Sequence, residues 1–192
     1  SYLGNVNFIG PRACYNEGKR FAETLVSTYQ EHFHINTRIG RIFTTYGPRM
    51  MLSSGRHVPD FISSALVGKE VIISGDETTG SSLCYVKDMV EGLVALMHNE
   101  IHEPVNLGGD RYYTLKEVAE KIIAITKSSS QIAYGEAIEY THRQALPDIS
   151  LAKEKLGWFP LIALDQGLME TIAFARSSLT LNVDYGLNRH QE

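Results

Sequence analysis

Tyr15 and Lys19 stand four residues apart near the start of the chain, in the run Tyr15-Asn16-Glu17-Gly18-Lys19. On a helix, residues four apart share one face, one turn from each other. An ammonium at that distance favours the ionised form of a phenol, whereas a free Tyr, with a pKa of about 10, is a poor base at neutral pH. A Tyr tuned in this way can take a proton from a hydroxyl while a hydride leaves the same carbon. The spacing alone is common, so its meaning rests on the elements that position it.

Those elements are legible from hydrophobic period and breakers. Residues 16–33 carry Phe21, Ala22, Leu25, Val26, Tyr29 and Phe33 on one stripe, opposite Arg20, Glu23, Ser27 and Gln30, which predicts an amphipathic helix with its stripe in a core or against a subunit. Residues 36–44 read as a strand, closed by the Gly47-Pro48 breaker. Further helices are expected over 57–67, 89–98, 149–156 and 165–177, with short strands at 71–73, 83–86, 104–107 and 131–134. Thr114-Leu115-Lys116-Glu117 has the form of a capping box and opens a helix to about Thr126. The polar stretch after Ser178 has no period and reads as a flexible tail. Helices alternate with strands, so the fold class is α/β.

The 192 residues are 43% hydrophobic and 21% charged, enough for a sizeable core. A net charge of −4 without a basic patch argues against a nucleic-acid partner. No apolar run approaches the length of a membrane span, and Ser1–Gly10 lacks the pattern of a secretory leader. Cys14 and Cys84 have no metal-ligand spacing and read as reduced residues of a cytoplasmic protein. No metal site is expected. A nucleotide-binding α/β protein should show G-x-G-x-x-G after its first strand, yet none of the 16 glycines is so arranged. With its start at Ser1 and its first motif within fifteen residues, the chain reads as one cut in the middle of a domain.

The run Ile9-Gly10-Pro11-Arg12-Ala13-Cys14-Tyr15-Asn16-Glu17-Gly18-Lys19-Arg20, with Tyr2–Asn7 before it, resembles the active-site segment of UDP-glucuronic acid decarboxylases, a branch of the extended short-chain dehydrogenases. The resemblance continues in order through Arg41-Ile42-Phe43, Tyr46-Gly47-Pro48-Arg49-Met50, Gly55-Arg56, Cys84-Tyr85-Val86 with Asp88, Pro147-Asp148-Ile149, Ala152-Lys153 and Leu156-Gly157-Trp158. It implies an incomplete Rossmann-type fold whose dinucleotide-binding N-terminal half is missing. Residues 1–50 would be the end of that domain. Residues 51–178 would be mainly a nucleotide-sugar subdomain, with one strand possibly returning to the sheet, and residues 179–192 a tail.

The resemblance also implies the chemistry. NAD-dependent decarboxylation of UDP-glucuronate to UDP-xylose runs through a 4-keto intermediate. Tyr15 would be the base and Lys19 its partner, also binding the nicotinamide ribose. Thr45, Tyr46 and Gly47 would lie along the nicotinamide, with Arg56 near both cofactor and substrate. Three positions depart from the family pattern. Thr44 replaces an Asn that helps hold substrate, Ser81 replaces an Arg, and Ala145-Leu146 replaces an Arg-Lys pair. A guanidinium binds diphosphate through a bidentate fork that Ser and Ala cannot provide. Each such loss costs about 1.5–3 kcal/mol. Arg143 is the remaining arginine placed to reach the diphosphate. Activity is therefore expected to be impaired, and the isolated chain is expected to bind NAD poorly. The alternatives are another NAD-dependent epimerase or 4,6-dehydratase of nucleotide sugars, and a non-catalytic paralogue that pairs with an active subunit. The Tyr-Lys helix would serve a homodimer. Cytoplasmic placement is the default, with a Golgi lumen the alternative if an anchor lies upstream.

Overall fold

The computed structural model describes residues 8–10, 13–52, 54–136 and 146–180. In chain order the elements are α1 (Ala13–Phe33), β1 (Gly40–Ile42), β2 (Thr45–Tyr46), α2 (His57–Leu66), β3 (Val71–Ser74), β4 (Gly80–Ser82), β5 (Cys84–Tyr85), α3 (Val86–Met97), β6 (Val105–Leu107), β7 (Tyr112–Thr114), α4 (Leu115–Thr126), β8 (Ile132–Gly135), α5 (Ser150–Leu156) and α6 (Leu164–Thr180).

Three helices build the larger core. Val58, Phe61, Ile62 and Ala65 on α2, and Leu115, Val118, Ala119 and Ile122 on α4, recur at the i, i+3, i+4, i+7 spacing of a single helix face. They meet Leu164, Leu168, Ile172 and Ala175 of α6 over Val71 and Ile73 of β3. β3 runs parallel to β8, with Val71 opposite Ile132. Thr114 caps α4 through a complete capping box with Glu117, and Gly157 ends α5 in the left-handed conformation that glycine adopts at least cost. α6 continues to Thr180, two residues past the point where the polar composition suggested a tail, and residues 181–192 lie outside the described residues.

A second core surrounds the parallel pair β1–β6, in which Gly40, Arg41 and Ile42 face Val105, Asn106 and Leu107. Met89 and Leu96 of α3, Ala152 of α5, and Cys84, Ile149 and Trp158 close it. Trp158 donates its indole N–H to the Asp88 carbonyl at 2.8 Å, while the Asp88 carboxylate accepts the Ile162 N–H at 2.9 Å. Together these two bonds fix the turn after α5 against the start of α3.

The strand expected over 36–44 behaves differently. Pairing begins at Gly40 and the chain then changes partner. Phe43 N–H still bonds Leu107 of β6, whereas Thr44 carbonyl accepts from Cys84, and Thr45–Tyr46 pair with Cys84–Tyr85. Gly108 and Gly109 make this crossing possible. A Cβ at Gly108 would sit 2.7 Å from the Phe43 Cβ, and one at Gly109 only 2.4 Å from the Leu83 carbonyl oxygen. The antiparallel pair β4–β7 was not anticipated, because Gly80-Ser81-Ser82 carries no hydrophobic alternation. Among the described residues, no helix is long and apolar enough to cross a membrane.

Of the two places that the sequence allowed for the apolar stripe of α1, a core or a subunit contact, the fold excludes a core within the described residues. None of the helix's residues is buried, and Phe21 and Phe33 are 66% and 64% exposed. The face turned towards the following strand is polar: Glu23 meets Arg41, and Gln30 accepts from the Thr37 hydroxyl at 3.1 Å.

Candidate active site

Tyr15 and Lys19 occupy the first two turns of α1 and remain exposed. The Lys19 ammonium lies over the Tyr15 ring, 5.5 Å from its centroid, within the range of a cation–π contact. The helix that carries them is tied to β1 by a two-pronged ion pair. Arg41 Nε donates to Glu23 Oε1 at 2.7 Å and Arg41 Nη2 to Glu23 Oε2 at 2.6 Å. Hydrogen bonding to Arg41 holds the Glu23 carboxyl below its ordinary value against the opposing effect of burial, and the guanidinium is raised in turn.

β1 leads directly to Thr44, at the point where the chain changes partner strand. In open α/β sheets the crevice beyond the carboxyl ends of strands is where ligands bind. There the Ser81 hydroxyl donates to the Ser82 carbonyl at 2.7 Å and shares a hydroxyl–hydroxyl contact with Thr44 Oγ1 at 3.1 Å. Two of the three departures from the family pattern therefore touch one another. Ser81 is buried and Thr44 half-buried, so the pair forms an uncharged hydroxyl contact where the resemblance places an amide and a guanidinium.

The neighbouring positions turn elsewhere. Thr45 folds its hydroxyl back to the Phe43 carbonyl at 2.9 Å. Tyr46 is only 2% exposed and donates its hydroxyl to the Leu164 carbonyl at 3.3 Å. Burial, ahead of the neighbouring Tyr113 and Tyr85, pushes its phenol well above the ordinary value. Tyr46 can therefore offer a ligand its backbone but not its hydroxyl. Gly47 is required by close packing, since a Cβ there would lie 2.3 Å from Val86 Cγ1.

Arg56 is exposed at the N-cap of α2, where its side chain makes no capping bond. His57 follows it, half-buried, its imidazole pushed down by burial against the opposing charge of Asp60. Arg143 and Ala145 lie outside the described residues. A crevice of about 10 Å³ beside Gly47, Pro48, Arg49 and Phe174 holds no more than a water. A wider cleft of about 540 Å³ opens at Leu66, Thr126, Lys127 and Arg176, and is lined by none of the candidate site residues.

Sequence reasoning missed the Glu23–Arg41 pair. The two residues are 18 apart in the chain, and no local pattern links an acidic residue on a helix to a basic one on the next strand.

Comparison with known proteins identifies the context. The family model for GDP-mannose 4,6 dehydratase matches residues 5–171. UDP-glucuronic acid decarboxylase 6 of Arabidopsis thaliana is 47% identical over 88% of this chain and 49% of its own length. The chain thus spans about half the length of the curated relatives it matches. Among solved structures, the UDP-glucose 4-epimerase of Thermotoga maritima, with UDP-glucose, superposes with a TM-score of 0.84 at 27% identity, covering 92% of this chain and 60% of that one. The UDP-glucuronic acid 4-epimerase of Bacillus cereus, in complex with UDP-glucuronic acid and NAD, superposes with a TM-score of 0.79 at 27% identity, covering 91% and 57%. The α/β architecture with its partial sheet is of the Rossmann type seen in these enzymes. This chain belongs to the extended short-chain dehydrogenase/reductase family that the GDP-mannose 4,6 dehydratase model describes.

Proposed function

We propose that the chain forms the proton-transfer and sugar-binding part of an NAD-dependent enzyme that decarboxylates UDP-glucuronate to UDP-xylose. The observation that carries this reading is the exposed Tyr15–Lys19 pair on one face of a helix held beside the strand that leads to Thr44. The match to decarboxylases supports the choice of substrate. In this reading, residues 1–50 complete a Rossmann domain and residues 51–178 form mainly the sugar subdomain.

The residues present fit one end of the cofactor. Tyr15, Lys19 and the backbone of Thr45–Gly47 would hold the nicotinamide end, with Arg56 near cofactor and substrate. No G-x-G-x-x-G loop exists among the 16 glycines, so polypeptide beyond these 192 residues would hold the rest. NAD, when bound, supplies the hydride acceptor for the sugar C4 and later the donor. Tyr15 Oη accepts the proton of the 4-hydroxyl. The resulting 4-keto acid is a β-keto carboxylate. Its bond to the carboxylate carbon breaks with the electron pair drawn towards the ketone, carbon dioxide leaves, and C5 of the resulting enolate takes a proton from solvent, which restores the 4-ketone. Tyr15 returns its proton to the 4-oxygen when the ketone is reduced. Thr44 and Ser81 lie on the substrate side, and Arg143 is assigned to the diphosphate. The exposed Phe21, Leu25, Tyr29 and Phe33 are the face that a second copy would cover in a homodimer.

The test joins this chain to the cofactor-binding half of a decarboxylase and follows carbon dioxide release from UDP-glucuronate. Turnover that is weak but abolished by Tyr15→Phe is expected; turnover indifferent to that change removes the assignment. The isolated chain should not bind NAD appreciably by titration calorimetry, and micromolar affinity would overturn the division of labour. A second reading is favoured by the likeness to the UDP-glucuronic acid 4-epimerase of Bacillus cereus: a 4-epimerase acting on a UDP-sugar. A 4-epimer without carbon dioxide in the same assay would establish it.

A further inference from the structure

We propose that Glu23 and Arg41 are positioning residues, a clamp that sets the rotation of α1 so that Tyr15 and Lys19 face the carboxyl end of β1. The inference rests on the reading of Tyr15 as the proton acceptor. It is carried by how α1 is held. The helix buries none of its residues, and Phe21, Leu25, Tyr29 and Phe33 of its apolar stripe stay exposed. An apolar contact would tolerate rotation of the helix by a fraction of a turn, whereas a planar guanidinium bonded through two nitrogens to two carboxylate oxygens does not.

The spacing supplies the link to the chemistry. Tyr15, Lys19 and Glu23 follow one another at intervals of four, and each interval advances only about 40° around the helix. Orienting Glu23 therefore orients the two residues before it. Arg41 sits on β1 opposite Asn106 of β6, three residues before Thr44, so the clamp refers α1 to the strand that ends at the candidate site. A second tie, Thr37 to Gln30 at 3.1 Å, lies seven residues along from Glu23 on the same helix face and prevents tilting about the clamp. Both partners of the clamp are half-buried, with side-chain exposures of 37% for Arg41 and 31% for Glu23. A lysine at position 41 would keep the charge but lose the planar fork.

Cys14 gives a direct readout. It is exposed and adjacent to Tyr15, whereas Cys84 is buried with its thiol pushed up to about 12, so a nitroxide reagent labels Cys14 selectively. A second label at Glu91→Cys, on the exposed side of α3, refers the distance to a helix packed on the β1–β6 pair. Pulsed electron paramagnetic resonance on the full chain should give one narrow distance. Glu23→Gln and Arg41→Lys should each lose it, with far-UV circular dichroism and the cooperative melt of the rest unchanged. The charge exchange Glu23→Arg with Arg41→Glu should restore it. An unchanged distance in both single variants overturns the clamp, as does a lost distance that the exchange fails to restore. In the chain joined to a cofactor-binding half, Arg41→Lys should lower kcat roughly 100-fold with KM nearly unchanged, the penalty of a catalytic group displaced by about 1 Å. A lost distance with unaltered kcat would leave the clamp standing and remove Tyr15 from the chemistry.

Discussion

Helices α1 and α4 are equally amphipathic by spacing and meet opposite fates. In α4, Leu115, Val118, Ala119 and Ile122 are all buried against α2 and α6. In α1, which at 21 residues is the longest described helix, Phe21, Leu25, Tyr29 and Phe33 keep the same kind of stripe in solvent. What holds α1 is the pairing of polar groups with Arg41 and Thr37. Fully burying a Leu or Phe side chain yields about 1.5–3 kcal/mol, whereas an exposed ion pair yields about 1 kcal/mol or less. An apolar stripe thus gives a helix a surface for packing without saying what meets it. Among the described residues the stripe of α4 is covered, whereas that of α1, the helix that bears Tyr15 and Lys19, is not.

The contrast can be broken by truncating equivalent positions in the two helices. Ile122→Ala removes a fully buried side chain and should cost about 2–5 kcal/mol in urea denaturation. Leu25→Ala, 43% exposed in the native chain, should change stability by no more than about 0.5 kcal/mol. Backbone amides of α1 should also exchange with solvent long before those of α4. Equal costs at the two sites, or equal protection, would mean that α1 is packed as firmly as the core.

Restoring charge at the candidate substrate side sharpens the same contrast. Ser81 is buried beside Tyr113 of the opposing strand and bonds Thr44, so Ser81→Arg must displace that contact, at a cost of about 1–3 kcal/mol in stability. With Ala145→Arg added, UDP binding by calorimetry should tighten by roughly 10- to 100-fold, the equivalent of one charge-assisted contact of about 1.5–3 kcal/mol. Lost stability without a gain in UDP binding would show that these positions do not face a diphosphate.

Most helices of this chain were legible in its sequence because their apolar residues recur at a helical period and because Thr114 and Gly157 punctuate them with local chemistry. Three things were not. The partner switch between Phe43 and Thr44 depends on Gly108 and Gly109 allowing three segments to converge, and neither glycine is near the switch in sequence. The β4–β7 pair is stabilised by register across the chain, with Ser81 opposite Tyr113, and has no period of its own. The polar footing of α1 was hidden because its stripe suggested the opposite face. At the candidate site, Tyr15 and Lys19 were visible as a local spacing. That Thr44 and Ser81 would meet, or that Tyr46 would give its hydroxyl to Leu164, required the fold.

The capping box tests whether local chemistry matters as much as packing in the core that α4 shares with α2 and α6. Thr114 Oγ1 accepts the Glu117 N–H at 3.1 Å, and the Glu117 carboxylate accepts the Thr114 N–H at 2.8 Å. Thr114→Ala should lower global stability by about 1 kcal/mol, and Thr114→Ser should recover most of it. A loss as large as that of Ile122→Ala would mean that Thr114 supports β7 as well as the cap.

The smallest expected effect concerns acid and the footing of α1. The Glu23 carboxyl ionises below its ordinary value of 4.5 when bonded to Arg41. A carboxyl depressed in the docked state stabilises docking fully above its undocked value, and that contribution is lost as pH falls through the depressed one. The footing of α1 should therefore be constant from neutrality down to about 4.5 and weaken only below it, by about 1 kcal/mol at most for a pair this exposed. Global melting cannot isolate this, because Asp76, Glu117 and Asp148 are depressed as well and weaken the fold in the same direction. A local readout can. The Arg41 Nε–H resonance should persist on acidification until Glu23 protonates and then broaden, while in Glu23→Gln it should show no step in that range. A step nearer neutrality would assign the footing of α1 to a histidine rather than to this carboxylate.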